Sequence, residues 1–201
     1  MKMNLIASAV ARLEETVKNS GCDEGSVSLT KNPKLTVCQY PRGVCVEACF
    51  GDRRGHVVTP DPIQACTKVS FMFGAPLNSP VERTAACAIV NAVTAFFCIN
   101  RRVNPCEESR HAACLSGLAQ ALAGARVYAA GDMRGPMTGI TITDDPADAD
   151  VLLVVGPGLI SNEGLAVVEG ALGKKRVICL GPSTAGVATL LGIEHWCPYG
   201  H

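Results

Sequence analysis

Charge and aromatic rings are both scarce in this chain of 201 residues. Charged side chains make up 18%, and there are only one tryptophan, three tyrosines and five phenylalanines. The 18 basic and 18 acidic groups cancel to a formal net charge of zero. With no excess or cluster of positive charge, the chain lacks the electrostatic footprint of a nucleic-acid binder. Low charge beside 48% hydrophobic content also excludes intrinsic disorder. No apolar run reaches the roughly 18 residues that a membrane-spanning helix needs. The longest nearly uncharged stretch, Thr84 to Asn100, carries Asn91 and Thr94 and reads as a buried helix.

Cysteine, by contrast, is abundant: there are 11, an odd number that cannot pair completely. Lys2 and the run Ile6 to Ala11 faintly imitate a secretory leader. However, Ile6, Val10, Leu13 and Val17 recur at helical spacing, with Glu14, Glu15 and Lys18 between them. That spacing predicts an amphipathic first helix. The expected compartment is a reducing cytoplasm, where so many thiols mean buried packing, metal ligation or redox chemistry.

The pattern changes along the chain. Leu35 to Cys38, Val44 to Phe50, His56 to Thr59 and Lys68 to Phe73 are strand-like, with 43–59 reading as a hairpin around Gly51-Asp52. Ser79-Pro80-Val81-Glu82 is a helix start with serine cap, proline at N1 and glutamate at N3. Asn104-Pro105-Cys106-Glu107 repeats that logic for a helix ending at Gly124. From residue 125 strands and helices alternate. Arg126 to Ala130 and Ile140 to Thr143 are strand-like, and Val151 to Val155 is the uninterrupted apolar run of a buried parallel strand. The last two strand-like runs, ending at Val155 and Leu180, each enter a Gly-Pro loop followed by a helix. That is a βαβ arrangement with a parallel sheet. The expected fold is α/β, divided near residue 105 into an α+β first half (1–104) and a compact Rossmann-like second half (105–201).

Two candidate sites follow. In an open parallel sheet, ligands bind beyond the carboxyl ends of the strands. Gly156 and Gly158 of one loop and Gly181 of the other lie there, beside helix N-termini that favour anions. Ser161, Asn162, Ser183 and Thr184 add side-chain hydrogen bonds, so a small anionic ligand is expected. The second candidate is a transition-metal site. His195, Cys197 and His201 fall within seven residues, and His111 and Cys114 share a helix face. On that helix Cys106 stands two turns before Cys114, about 12 Å away and out of reach of the same ion. Cys45 and Cys49 are similarly separated along a strand. Cys38, Cys87, Cys98 and Cys179 read as packing residues.

The stretches Ala149-Asp150-Val151-Leu152-Leu153-Val154-Val155-Gly156, Leu159-Ile160-Ser161-Asn162 and Val177-Ile178-Cys179-Leu180-Gly181-Pro182-Ser183-Thr184 resemble a known family. They are similar to the heavy-metal chelation domain proteins of bacteria and archaea. The resemblance implies a Rossmann-like C-terminal domain preceded by one like the N-terminal domain of enolase. Gly131-Asp132-Met133-Arg134 departs from the family's turn after its first strand. The combined expectation is an accessory protein binding a transition metal or a metal-containing small ligand in the cleft between its halves. The alternative is a Rossmann-class enzyme using a nucleotide or S-adenosylmethionine-like ligand at the same loops. A third reading is a homo-oligomer whose thiols and apolar surface form the interface.

Overall fold

Helix α1 (Leu5–Val17) forms where the apolar spacing placed it. Asn4 caps it by accepting a hydrogen bond from the Ala7 N–H at 2.8 Å, and Ile6, Val10, Leu13 and Val17 share its buried face. The computed structural model describes residues 3–201 of the chain.

Four antiparallel strands follow: β1 (Ser26–Asn32), β2 (Val44–Phe50), β3 (Arg53–Thr59) and β4 (Ala65–Lys68), in the order β3-β2-β1-β4. The β2–β3 hairpin turns at Gly51-Asp52 as expected, with Phe50 opposite Arg53. Two strand assignments differ. Leu35 to Cys38 is irregular, and Val69–Met72 is a 3-10 turn. The strand that pairs with β2 is instead β1, where Val27 and Leu29 point inward and Ser26, Ser28 and Thr30 outward. That alternation is the period of a half-buried strand.

Helix α2 (Pro80–Phe96) opens on the full capping box, Ser79 accepting from the Glu82 N–H while Glu82 reaches back to the Ser79 N–H. Its 11 buried residues make it the central helix, packed on β2 and β3. Gly55 permits that contact, since a Cβ there would stand 2.5 Å from the Ala92 nitrogen.

Helix α3 (His111–Ala121) starts later than expected. Asn104 is not its cap; the Asn104 N–H donates to the His201 carbonyl at 2.8 Å. Residues 103–107 therefore stay irregular, and a 3-10 turn at Glu108–Arg110 leads into the helix.

The second sheet is parallel: β5 (Arg126–Ala130), β6 (Thr141–Ile142), β7 (Val151–Val154), β8 (Arg176–Leu180) and β9 (Glu194–Trp196), ordered β6-β5-β7-β8-β9. The chain thus reverses direction across the sheet between β5 and β7. Helices α4 (Gly156–Ile160), α5 (Asn162–Ala171) and α6 (Ala185–Leu191) carry the connections from β7 to β9. Leu118 and Leu122 of the α3 segment pack with Val127, Leu153 and Ile178 of the sheet in one cluster. A larger cluster joins α1, α2 and the antiparallel sheet to α4, α5 and α6, so the core runs across residue 105 without a break. The class is α/β as expected, with one antiparallel and one parallel sheet. Among the described residues no helix is long and apolar enough to cross a membrane.

Two buried polar side chains knit the halves together. Arg83 donates to the Ile160 carbonyl at 2.6 Å, to Leu77 O at 3.1 Å and to Asn162 Oδ1. Asn91 donates to His56 O at 3.0 Å and Pro182 O at 3.1 Å, and accepts from the Gly186 N–H at 2.8 Å. An Asn91→Leu substitution leaves those backbone groups buried without partners, each a cost of about 1–3 kcal/mol. The expected loss is about 2–4 kcal/mol in urea unfolding, through one transition that melts both sheets together.

Candidate functional site

The two Gly-Pro loops are a packed seam. A Cβ on Gly156 would stand 2.7 Å from the Val58 carbonyl oxygen and 2.8 Å from Ser183 Cβ, and one on Gly158 would overlap the Ala130 carbonyl. Ser183 Oγ accepts from the buried Val58 N–H at 3.0 Å. Thr184 donates to Leu180 O at 3.1 Å, Ser161 caps α5 by accepting from the Gly164 N–H at 3.0 Å, and Asn162 is held by Arg83. Gly156 and Ser183 thus pack against β3, Gly158 against the end of β5 and Gly181 against Cys38, while Thr184 bonds within its own turn. The nearest free space is a groove of about 340 Å³ where β5 and β7 diverge, lined by Gly131, Asp132, Pro157, Ser161 and Glu163 among others.

Several cysteine-bearing segments meet elsewhere, at the carboxyl edge of the same sheet. Strands β8 and β9 pair with Leu180 opposite Trp196, and the Gly181 N–H continues the ladder to Trp196 O at 3.0 Å. Cys197 therefore leaves β9 beside Gly181. Gly181 has φ +73°, and a Cβ there would stand 2.9 Å from Cys38 Sγ, so a side chain is excluded by both backbone and thiol. The Cys38 segment is tied to the loop after β5 through Arg42 N–H to Asp132 O (2.9 Å) and Arg134 N–H to Tyr40 O (2.9 Å). Gln39 donates to the His111 carbonyl at 2.7 Å, and Tyr40 Oη lies 3.2 Å from Cys114 Sγ. The chain end folds back, His201 O on Asn104 N–H, which brings the Cys106 loop beside Cys197.

The segments that carry Cys38, Cys106, Cys114 and Cys197 are thus tied to one another by these contacts. In all six pairings among them, the charge of one thiolate raises the pKa of another. Burial acts more strongly, pushing Cys38 up to about 12 and Cys197 up to about 11, and raising Cys106 as well. The Tyr40 and Gly200 backbone N–H groups donate to the Cys38 and Cys197 sulfurs and partly offset this. Burial, then the Cys114 thiol, holds the Tyr40 phenol protonated. No other cysteine joins the set; Cys87 and Cys179 are fully buried near each other in the main core.

Of the expected metal ligands, Cys114 and Cys197 are both buried, and His111 lies one turn before Cys114. The tail is not a formed chelate. His195 Nε2 donates to the Gly181 carbonyl at 2.9 Å, burial lowers its pKa, and His201 is exposed. Among the described residues, no three His, Cys, Asp or Glu side chains are grouped so as to hold one metal ion.

Cys38 is buried, as a packing residue is. The helical distance of about 12 Å between Cys106 and Cys114 does not apply, because residues 103–107 are not helical. The available signal was local: Cys38, Cys106 and Cys197 all lie in irregular, proline-containing stretches. No family model, curated protein or solved structure matches the chain.

The seam makes its own prediction. Ser183→Ala removes the only side-chain partner of a buried Val58 N–H and costs about 1–2 kcal/mol of stability in a denaturant titration. Metal retained by the purified protein stays unchanged. Unaltered stability with lost ligand binding would return Ser183 to a binding role.

Proposed function

We propose that this protein binds a transition metal through Cys38, Cys106, Cys114 and Cys197, at the carboxyl edge of the parallel sheet. The observation that carries the reading is that hydrogen bonds and close contacts tie together the four distant stretches of chain that bear these thiols. An all-thiolate set selects soft or borderline metals over magnesium or calcium. Metal binding must displace protons from thiols whose pKa burial has raised, which couples affinity to pH. The backbone N–H groups aimed at Cys38 and Cys197 are the kind of outer contacts that orient metal ligands. The resemblance to heavy-metal chelation domain proteins agrees with this role, as does a reducing cytoplasm that keeps thiols free. A Rossmann-like second half is supported by the reversal of strand order between β5 and β7. The α–β–α layout of residues 1–104 is compatible with an enolase-N-terminal-like half.

The rival reading places a nucleotide or S-adenosylmethionine-like ligand at the parallel sheet. In its favour, the 340 Å³ groove sits where open α/β sheets bind ligands. Against it, Asp132 and Glu163 on the groove wall repel phosphate. Nucleotides and S-adenosylmethionine are expected to leave the melting temperature unmoved.

The direct test is metal analysis of untagged protein purified without oxygen. Cys114→Ser and Cys197→Ser are expected to weaken metal retention more than tenfold, beyond the effect of losing an outer-shell contact. Exposed Cys66 and Cys98 serve as controls, and their serine variants retain full metal. Metal-free protein from metal-replete cells, or equal metal in all four variants, would refute the assignment.

A further inference from the structure

We infer that the cavity at the end of α2 binds small carboxylate-bearing disulfides and passes one half of them to the Cys98 thiol, a role independent of the metal site proposed above. The cavity holds about 420 Å³, within the roughly 300–1,000 Å³ of small-molecule sites. Arg53, Cys98, Arg101, Asn104 and His201 line it, and no Asp or Glu side chain does. Two guanidiniums on one space without a carboxylate select an anion, and their planar forks suit a carboxylate in particular. Arg53 has only its exposed neighbour Asp52 at 3.6 Å, a solvent-screened pair. Among the described residues Arg101 forms no ion pair.

The helix end fixes the thiol in this cavity. Phe97 closes α2, and the Cys98 and Ile99 N–H groups turn back to the Ala95 and Thr94 carbonyls at 3.0 and 2.9 Å. That closure puts Cys98 at φ +56°, a left-handed position that helix ends usually fill with glycine. The stretch beyond is pinned as well. Buried Asn100 donates to Thr189 Oγ1 at 2.8 Å and accepts from the Arg102 N–H at 2.7 Å. Cys98 is therefore an exposed thiol on a fixed backbone, in a cavity that attracts negative charge. Thiols and disulfides exchange through attack of a thiolate on one sulfur. The Cys98 thiolate attacks RS–SR, the Cys98–S–S–R bond forms as the old S–S bond breaks, and the departing RS⁻ takes up the proton that Cys98 lost. Cys98 is oxidised and the leaving half is reduced, with no further oxidant. Carboxylates on the bound half lie against Arg53 and Arg101, and a reducing thiol reverses the step.

The experiment uses the full reduced chain and three disulfides: oxidised glutathione, which is net negative, cationic cystamine, and neutral dithiodipyridine to measure bare accessibility. Site-resolved mass spectrometry follows Cys98 against Cys66, which is also exposed but lies on the edge strand β4. Relative to the neutral reagent, oxidised glutathione should modify Cys98 at least about fivefold faster than Cys66, and cystamine should show no such preference. The preference should vanish in about 1 M salt, where the Debye length is about 3 Å. It should also vanish in the double variant Arg53→Gln/Arg101→Gln, with the neutral reagent's rate unchanged. Cys98→Gly, which suits the left-handed backbone, should keep or raise the melting temperature and abolish the fast modification. Equal rates at the two cysteines, an equal preference with cystamine, or a preference that survives loss of both arginines overturns the inference. Metal content enters none of these outcomes, so the proposed metal site stands or falls separately.

Discussion

The amide of Asn91 is the contact on which the rest of the arrangement depends. It sits at the middle of α2 and satisfies backbone groups of β3, of the turn at Pro182 and of α6. That places the turn after β8 at a fixed height above the antiparallel sheet. Ser183, bonded to Val58, adds a second fastening in the same place. With the turn held from one side, Gly181 can meet Cys38 and pair with β9 on the other. The contacts of Gly181 with Cys38 and β9 are therefore backed by polar contacts on the far side of the seam, none of which involves a thiol.

This division of labour accounts for the Gly-Pro loops. Anion-binding loops at strand ends leave their amides free, whereas here the glycines admit neighbouring backbone and the hydroxyls satisfy it. Glycine at 156 and 158 is required by close approach, with no ligand invoked. On the proposed reading, the chemistry of the carboxyl edge lies toward β8 and β9 rather than at the strand reversal. Scarcity of charge has a matching consequence. Burial raises the Cys38 and Cys197 pKa values, so these thiols stay protonated, and the proposed metal binding would be coupled to proton release.

Much of the architecture was legible wherever local chemistry and tertiary packing agreed. The capping box at Ser79, the apolar run of β7, the hairpin at Gly51-Asp52 and the Ser161 cap all appear as their residues predict. Failures arose where long-range contacts overrode a local signal. Asn104 has the look of a helix cap, but its N–H is taken by the chain end, and the helix waits until His111. β9 lay hidden in the segment read as a metal-binding tail, because pairing with β8 supplies what its three residues lack on their own. The same override decided the site. Spacing along a helix excluded Cys106 only because the helix was assumed to include it. Cys38 lies 68 residues from Cys106 and 159 from Cys197 in the chain. Proximity of that kind comes from topology, which no local pattern encodes.

X-ray absorption at the metal edge, on untagged protein carrying its native metal, tests the central claim most directly. The account requires a first coordination shell of sulfur alone, because His195 is engaged by the Gly181 carbonyl and His201 lies exposed. A shell dominated by nitrogen or oxygen would contradict it, and would return the metal to the histidines of the chain end.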